Sequence, residues 1–143
     1  MSDDLWMRRC LQLAHEAAQR GDAPVGAVIV RNGLVLSEAG EQIKTAHDVA
    51  GHAELIAIRA ACRELETMDL AGCTLYTNIE PCWMCSFAIR ETGIDRVVIG
   101  VPIADIGGVT SRYPILSDAA INGWRTPPTL LWTGSADDAA TRQ

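Results

Sequence analysis

Lysine is nearly missing from this sequence: Lys44 stands alone, and the other eleven bases are arginines, scattered apart from the Arg8-Arg9 pair. With 18 acids against 12 bases the formal charge is −6, and no basic cluster occurs. A protein that grips a polyanion usually carries a basic stripe, so the charge predicts no nucleic-acid partner. Long apolar runs are missing too; none approaches the roughly 18 residues of a membrane span. The opening stretch MSDDLWMRR is acidic and lacks the apolar centre of a signal peptide, which predicts a cytoplasmic protein with no membrane partner. Five cysteines make an odd number, and in a cytoplasmic setting that argues against a disulfide framework. Cys10, Cys62 and Cys73 sit in apolar segments and read as small buried hydrophobes. No repeat, low-complexity tract or linker breaks the chain.

What remains is an ordinary globular composition, 48% hydrophobic and 21% charged over 143 residues, the size of a single domain spanning 1–143. Residues 5–19 carry apolar positions at helical spacing, with Gly21 as a stop. Two β-rich runs, 25–30 and 34–39, flank Asn32-Gly33, the strongest short hairpin signal. Residues 41–51 read as an irregular loop, and 52–65 as a helix with an apolar stripe. A strand at 73–79 ends at Pro81, placed in the first turn of a helix over 82–91. Strands follow at 96–101 and 129–133, with a flexible Gly107-Gly108 segment and a short helix between them, and SADDAATRQ at the end reads as frayed. Strands alternating with helices predict a mainly parallel sheet covered on both faces, made mixed by the hairpin.

The helix over 52–65 opens with His52-Ala53-Glu54, which a plain packing helix does not need. Cys82 and Cys85 open the next helix three residues apart, so their sulfurs share one face, and the aligned N–H groups there favour thiolates. Such a sulfur pair suits Zn²⁺, yet the chain lacks the second Cys/His pair of a structural site. Three ligands with one open position is the catalytic pattern, and His52 is the best third ligand; His15 belongs to the first helix and His47 to the loop. Glu54 then reaches a water at the open position without touching the metal. Two thiolates cancel the charge of the ion, so that water is only modestly acidified and a carboxylate base is useful. C-x-x-C after a strand also fits a thiol–disulfide site, but that reading leaves His52 and Glu54 idle.

The pattern H-x-E…P-C-x-x-C is the signature of zinc nucleobase deaminases, present here as His52-Ala53-Glu54 and Pro81-Cys82-Trp83-Met84-Cys85. With PVGAVIV, LYTNIEPCWMC and GIDRVVIG in family order, the sequence resembles the cytidine/deoxycytidylate deaminase superfamily from about residue 5 to residue 100. Within it, the likeness is to tRNA adenosine deaminases, guanine deaminases and yeast-type cytosine deaminases. The resemblance implies a three-layer α/β/α sandwich on a five-stranded mixed sheet, and a homodimer or larger assembly. It also implies a hydrolase that releases ammonia, with a water at the metal attacking an amidine carbon. Glu54 shuttles the proton to the ring nitrogen and then to the leaving group. The backbone carbonyl of Glu80 accepts from the leaving amine, and the N–H groups of Ala53 and Cys82 position substrate and water.

His47 and Asp48 align with a His-Asp pair of tRNA deaminases; His47 is a candidate pocket wall, whereas Asp48 reads as a turn residue. Trp83 either clamps a planar base or simply packs, and Arg112 and Tyr113 are candidates to cover the pocket, with a solvated Arg and a packed Tyr as the commoner alternative. Many relatives carry an Asn eleven residues before the zinc histidine, where this sequence has Glu41. An ionised carboxylate only accepts hydrogen bonds, so it favours a ring edge rich in N–H donors. A one-residue slip would place Gln42 there instead. The expectation is therefore a deaminase of a small free base, guanine-, isocytosine- or cytosine-like, or an amino-triazine. The alternative is a tRNA-specific adenosine deaminase.

Overall fold

A computed structural model of the chain describes residues 2–121 and 123–134; SADDAATRQ lies outside the described residues. Helix α1 (Asp3–Arg20) leads into the hairpin β1 (Gly26–Arg31) and β2 (Leu34–Gly40), followed by a single turn, α2 (Ile43–Ala46), and helix α3 (Ala53–Leu65). Then come β3 (Thr74–Ile79), α4 (Trp83–Thr92), β4 (Arg96–Val101) and β5 (Thr129–Trp132). The five strands form one sheet in the order β2-β1-β3-β4-β5. The hairpin closes on Asn32-Gly33 with positive φ at both residues, the geometry a two-residue turn between twisted strands requires.

The sheet is mixed but not mainly parallel: β1 runs antiparallel to both β2 and β3, and only β3–β4 and β4–β5 are parallel. The sequence expectation missed the β1–β3 pairing because alternation along a chain does not report strand direction.

Alternation along the strands divides the core in two. Val28, Val30, Tyr76 and Val98 face α1 through Met7 and Cys10. Ala27, Ile29, Leu75, Ile79, Val97 and Ile99 face the opposite way, into a cluster that includes Ala53, Ala57, Ile58 and Ala61 of α3 and Ile89 of α4. Helices thus cover both faces, giving the α/β/α layering. Asp3 ties α1 to the sheet, accepting from the Tyr76 hydroxyl and from both terminal nitrogens of Arg96. The Arg96 guanidinium holds its carboxyl at about 2.

Three local readings change. The 41–51 loop contains the α2 turn because buried Asp22, far upstream, accepts from the N–H groups of Lys44 and Thr45 and from the Thr45 hydroxyl. The short helix expected between β4 and β5 is absent among the described residues, where turns and extended stretches run instead. Gly107-Gly108 is not a flexible hinge: Gly107 bridges to Cys82, and the Gly108 N–H donates to the Pro81 carbonyl.

Candidate metal centre

The starts of helices α3 and α4 lie side by side, and the residues that cap them are His52 and Cys82. Neither side chain caps its own helix. For α3 that work falls to Glu41, fully buried, whose Oε1 accepts the Ala53 N–H at 2.8 Å. A helix start needs an acceptor for its orphan N–H groups. Because Glu41 provides it from the preceding loop, the His52 ring turns toward the sulfurs. Pro81 sits one residue before the Cys82 cap rather than inside the first turn, and the Trp83 N–H is taken by the Ile106 carbonyl.

His52 Nδ1 lies 3.3 Å from Cys82 Sγ and 3.6 Å from Cys85 Sγ. All three donor atoms fall within 4.8 Å of one another, a group that could hold one ion. The Cys82 thiol is pulled down to about 4; the hydrogen bond from the Cys85 side chain leads, burial opposes it, and His52 adds to it. Cys62 and Cys73 behave oppositely, since burial pushes both thiols up, as befits hydrophobic fillers. One imidazole nitrogen and two sulfurs of which one is readily a thiolate form a donor set suited to Zn²⁺. Glu54 stands in the first turn of α3, fully buried and outside that group of three.

The other candidates separate. Trp83 is partly exposed at the start of α4, its indole N–H donating to Ser111 Oγ at 3.0 Å. Its ring meets Tyr113 edge-on at 5.8 Å, and the Arg112 guanidinium lies 5.7 Å from the Tyr113 ring. The segment after β4 therefore returns to the start of α4, where Ser111 and Tyr113 meet Trp83. His47 is exposed and ends the α2 turn in a left-handed conformation. Asp48 is a turn residue, accepting from the Ala50 N–H, and Gln42 is exposed, its N–H donating to Gly51.

Sequence patterning missed the Glu80 side chain. It is fully buried and accepts four hydrogen bonds from the segment after β4. The trace it leaves in the sequence is Gly107, where a Cβ would overlap the Glu80 carboxylate.

Residues 1–101 match the family profile of the cytidine and deoxycytidylate deaminase zinc-binding region, covering both halves of the metal group. The chain belongs to this family. The profile ends with β4, but the likeness to individual relatives reaches further along the chain than the sequence reading expected. The deaminase is 38% identical over 122 residues to a tRNA-specific adenosine deaminase of Aquifex aeolicus, 85% of this chain and 81% of that protein. A solved structure from work on tRNA:A34 deaminases superposes with a TM-score of 0.82 at 32% identity, covering 90% of this chain and 97% of the other. A guanine deaminase from Bacillus subtilis gives a TM-score of 0.68 at 37% identity, over 71% of this chain and 66% of the other. The fold is therefore the cytidine-deaminase type, and the chain is a zinc-type hydrolytic deaminase acting on C–N bonds. The relatives' names speak of tRNA more than of free bases, so they favour the alternative substrate over the expected one. No described helix is long and apolar enough to cross a membrane.

Proposed function

We propose that this deaminase acts on the adenine ring of adenosine in tRNA, replacing the exocyclic amine by a carbonyl oxygen from water. The likeness to the Aquifex aeolicus enzyme over most of both chains carries the substrate, and the His52–Cys82–Cys85 group beside Glu54 carries the chemistry. His52, Cys82 and Cys85 hold the zinc, which when bound supplies a Lewis acid that makes water a competent nucleophile at neutral pH. Glu54 takes the water's proton and passes it to the ring nitrogen, then to the departing ammonia. The Glu80 carbonyl receives the amine, and the Cys82 N–H helps to place the reacting oxygen. Trp83 and Tyr113, with Arg112 beside them, offer an aromatic ledge on which a flanking base can stack.

A second reading keeps the small free base as substrate. Two features favour it: the −6 charge, and Glu41, which stands eleven residues before His52 where the family resemblance implies an amide. An acceptor-only carboxylate is poorly matched to the acceptor-rich edge of adenine.

One experiment decides between them. The purified chain is given tRNA anticodon stem-loops and, separately, guanine, isocytosine, cytosine and amino-triazines, with inosine and ammonia as readouts. Inosine formation with binding that weakens steeply as salt rises is expected, because phosphate contacts release counterions. Ammonia from a free base with tRNA unchanged would give the case to the second reading. In either case elemental analysis should find about one zinc per chain, the loading of a Cys₂His centre. A different metal, or a Cys82–Cys85 disulfide with none, would overturn the metal assignment.

A further inference from the structure

The segment after β4 has little regular structure, yet its first part, residues 103–110, is anchored on one side chain. Four donors converge on the two oxygens of Glu80. Ile103 N–H and the Thr110 hydroxyl reach Oε1 at 3.0 and 2.5 Å, and the N–H groups of Val109 and Thr110 reach Oε2 at 2.8 Å each. Glu80 is fully buried, and both of its side-chain oxygens act as acceptors for donors of this segment. The approach is tight enough that a Cβ at Gly107 would overlap the carboxylate. Between the anchored ends the loop touches the metal-binding helix directly: Gly107 bridges to Cys82, and the Ile106 carbonyl accepts the Trp83 N–H. One residue past Thr110, Ser111 receives the Trp83 indole, and Tyr113 meets its ring.

We propose that the Glu80 side chain is a positioning residue for substrate binding: it straps residues 103–110 against the start of α4 and thereby sets the Trp83–Ser111–Tyr113 wall. This is distinct from any role of the Glu80 backbone carbonyl, and it rests on the proposed deaminase site only for where substrate enters. The carboxylate is needed rather than a neutral isostere. A Gln at 80 would turn one of the two oxygens into a donor facing donors, and the Ile103, Val109 and Thr110 N–H groups cannot reverse their polarity.

The test compares Glu80→Gln with Asp3→Asn, a destabilising control far from the site. Amide hydrogen exchange at 103–110 and the Trp83 component of fluorescence, isolated by difference against Trp83→Phe, report the strap without any turnover. Zinc content and steady-state kinetics follow on the same samples. For Glu80→Gln we expect faster exchange confined to 103–110, a shifted Trp83 signal, unchanged zinc, and KM raised on the order of tenfold with kcat much less affected, the pattern of lost uniform binding. Asp3→Asn should lower Tm and leave KM alone. If Glu80→Gln does not fold, Thr110→Val, which removes only the hydroxyl donor, should give the same changes in smaller measure. Unchanged exchange at 103–110, or altered exchange with KM unmoved, overturns the strap. Absence of turnover in the unsubstituted chain would instead overturn the deaminase reading, while the exchange and fluorescence comparison still decides the strap.

Discussion

Replacing Glu54 by Gln is expected to lower kcat by roughly 10²–10⁴-fold, the range for a positioned acid–base group, while fold and zinc loading stay as they were. The amide has the same shape, so the buried first turn of α3 keeps its packing against the sheet. It cannot take a proton from water at neutral pH, and in the proposed mechanism this one side chain serves every transfer in the cycle. The loss should therefore sit at the high end of that range, and it should appear in kcat and kcat/KM together, as for a contact made in the transition state. Zinc per chain and Tm measured on the same preparation separate this from a broken site. A Glu54→Gln enzyme that retains most of the rate would remove Glu54 from the mechanism.

The regular elements were legible because each carries its own local signal, apolar spacing or a turn residue, within a few positions along the chain. The α3 and α4 boundaries, the hairpin and β3 to β5 lie within a residue or two of their sequence-based limits. The metal group was legible for the same reason, since its ligands fall at two helix starts whose spacing encodes their face. Contacts that skip far along the sequence leave no periodic trace. Asp22 builds the α2 turn from across the hairpin, and Glu80 organises residues 103–110. Arg90, buried in α4, donates to the carbonyls of Ile115, Leu116, Asp118 and Arg125 and lies 4.8 Å from the centre of the Trp124 ring. Such anchors replace the short helix that local patterning expected between β4 and β5. Glycines at 107 and 108 signalled close approach, which from sequence is indistinguishable from freedom.

Glu41→Gln is the substitution expected to move substrate preference most. Glu41 spends Oε1 on the Ala53 N–H, one residue after His52, so its carboxylate lies at the start of α3 beside the candidate metal group. An amide can keep that acceptor and place an N–H₂ group where Oε2 now stands. If the carboxylate reads the substrate, this exchanges an acceptor for a donor. Bases with a ring N–H or second amino group should then lose kcat/KM, and rings presenting a carbonyl or ring-nitrogen acceptor, cytosine or adenine, should gain. Leaving a buried donor or acceptor unmatched costs about 1–3 kcal/mol, so the ratio between the two classes should shift by roughly 10–100-fold or more. Zinc content should not change, because Glu41 lies outside the ligand group. Glu41→Leu supplies the second arm: it removes the cap altogether, and an N-cap of this kind is worth about 1 kcal/mol of stability. A chain in which Glu41→Leu lowers Tm while Glu41→Gln leaves the preference order intact would make Glu41 a helix cap alone. Specificity would then fall to the Trp83–Tyr113 wall, whose replacement should change preference where Glu41→Gln had not.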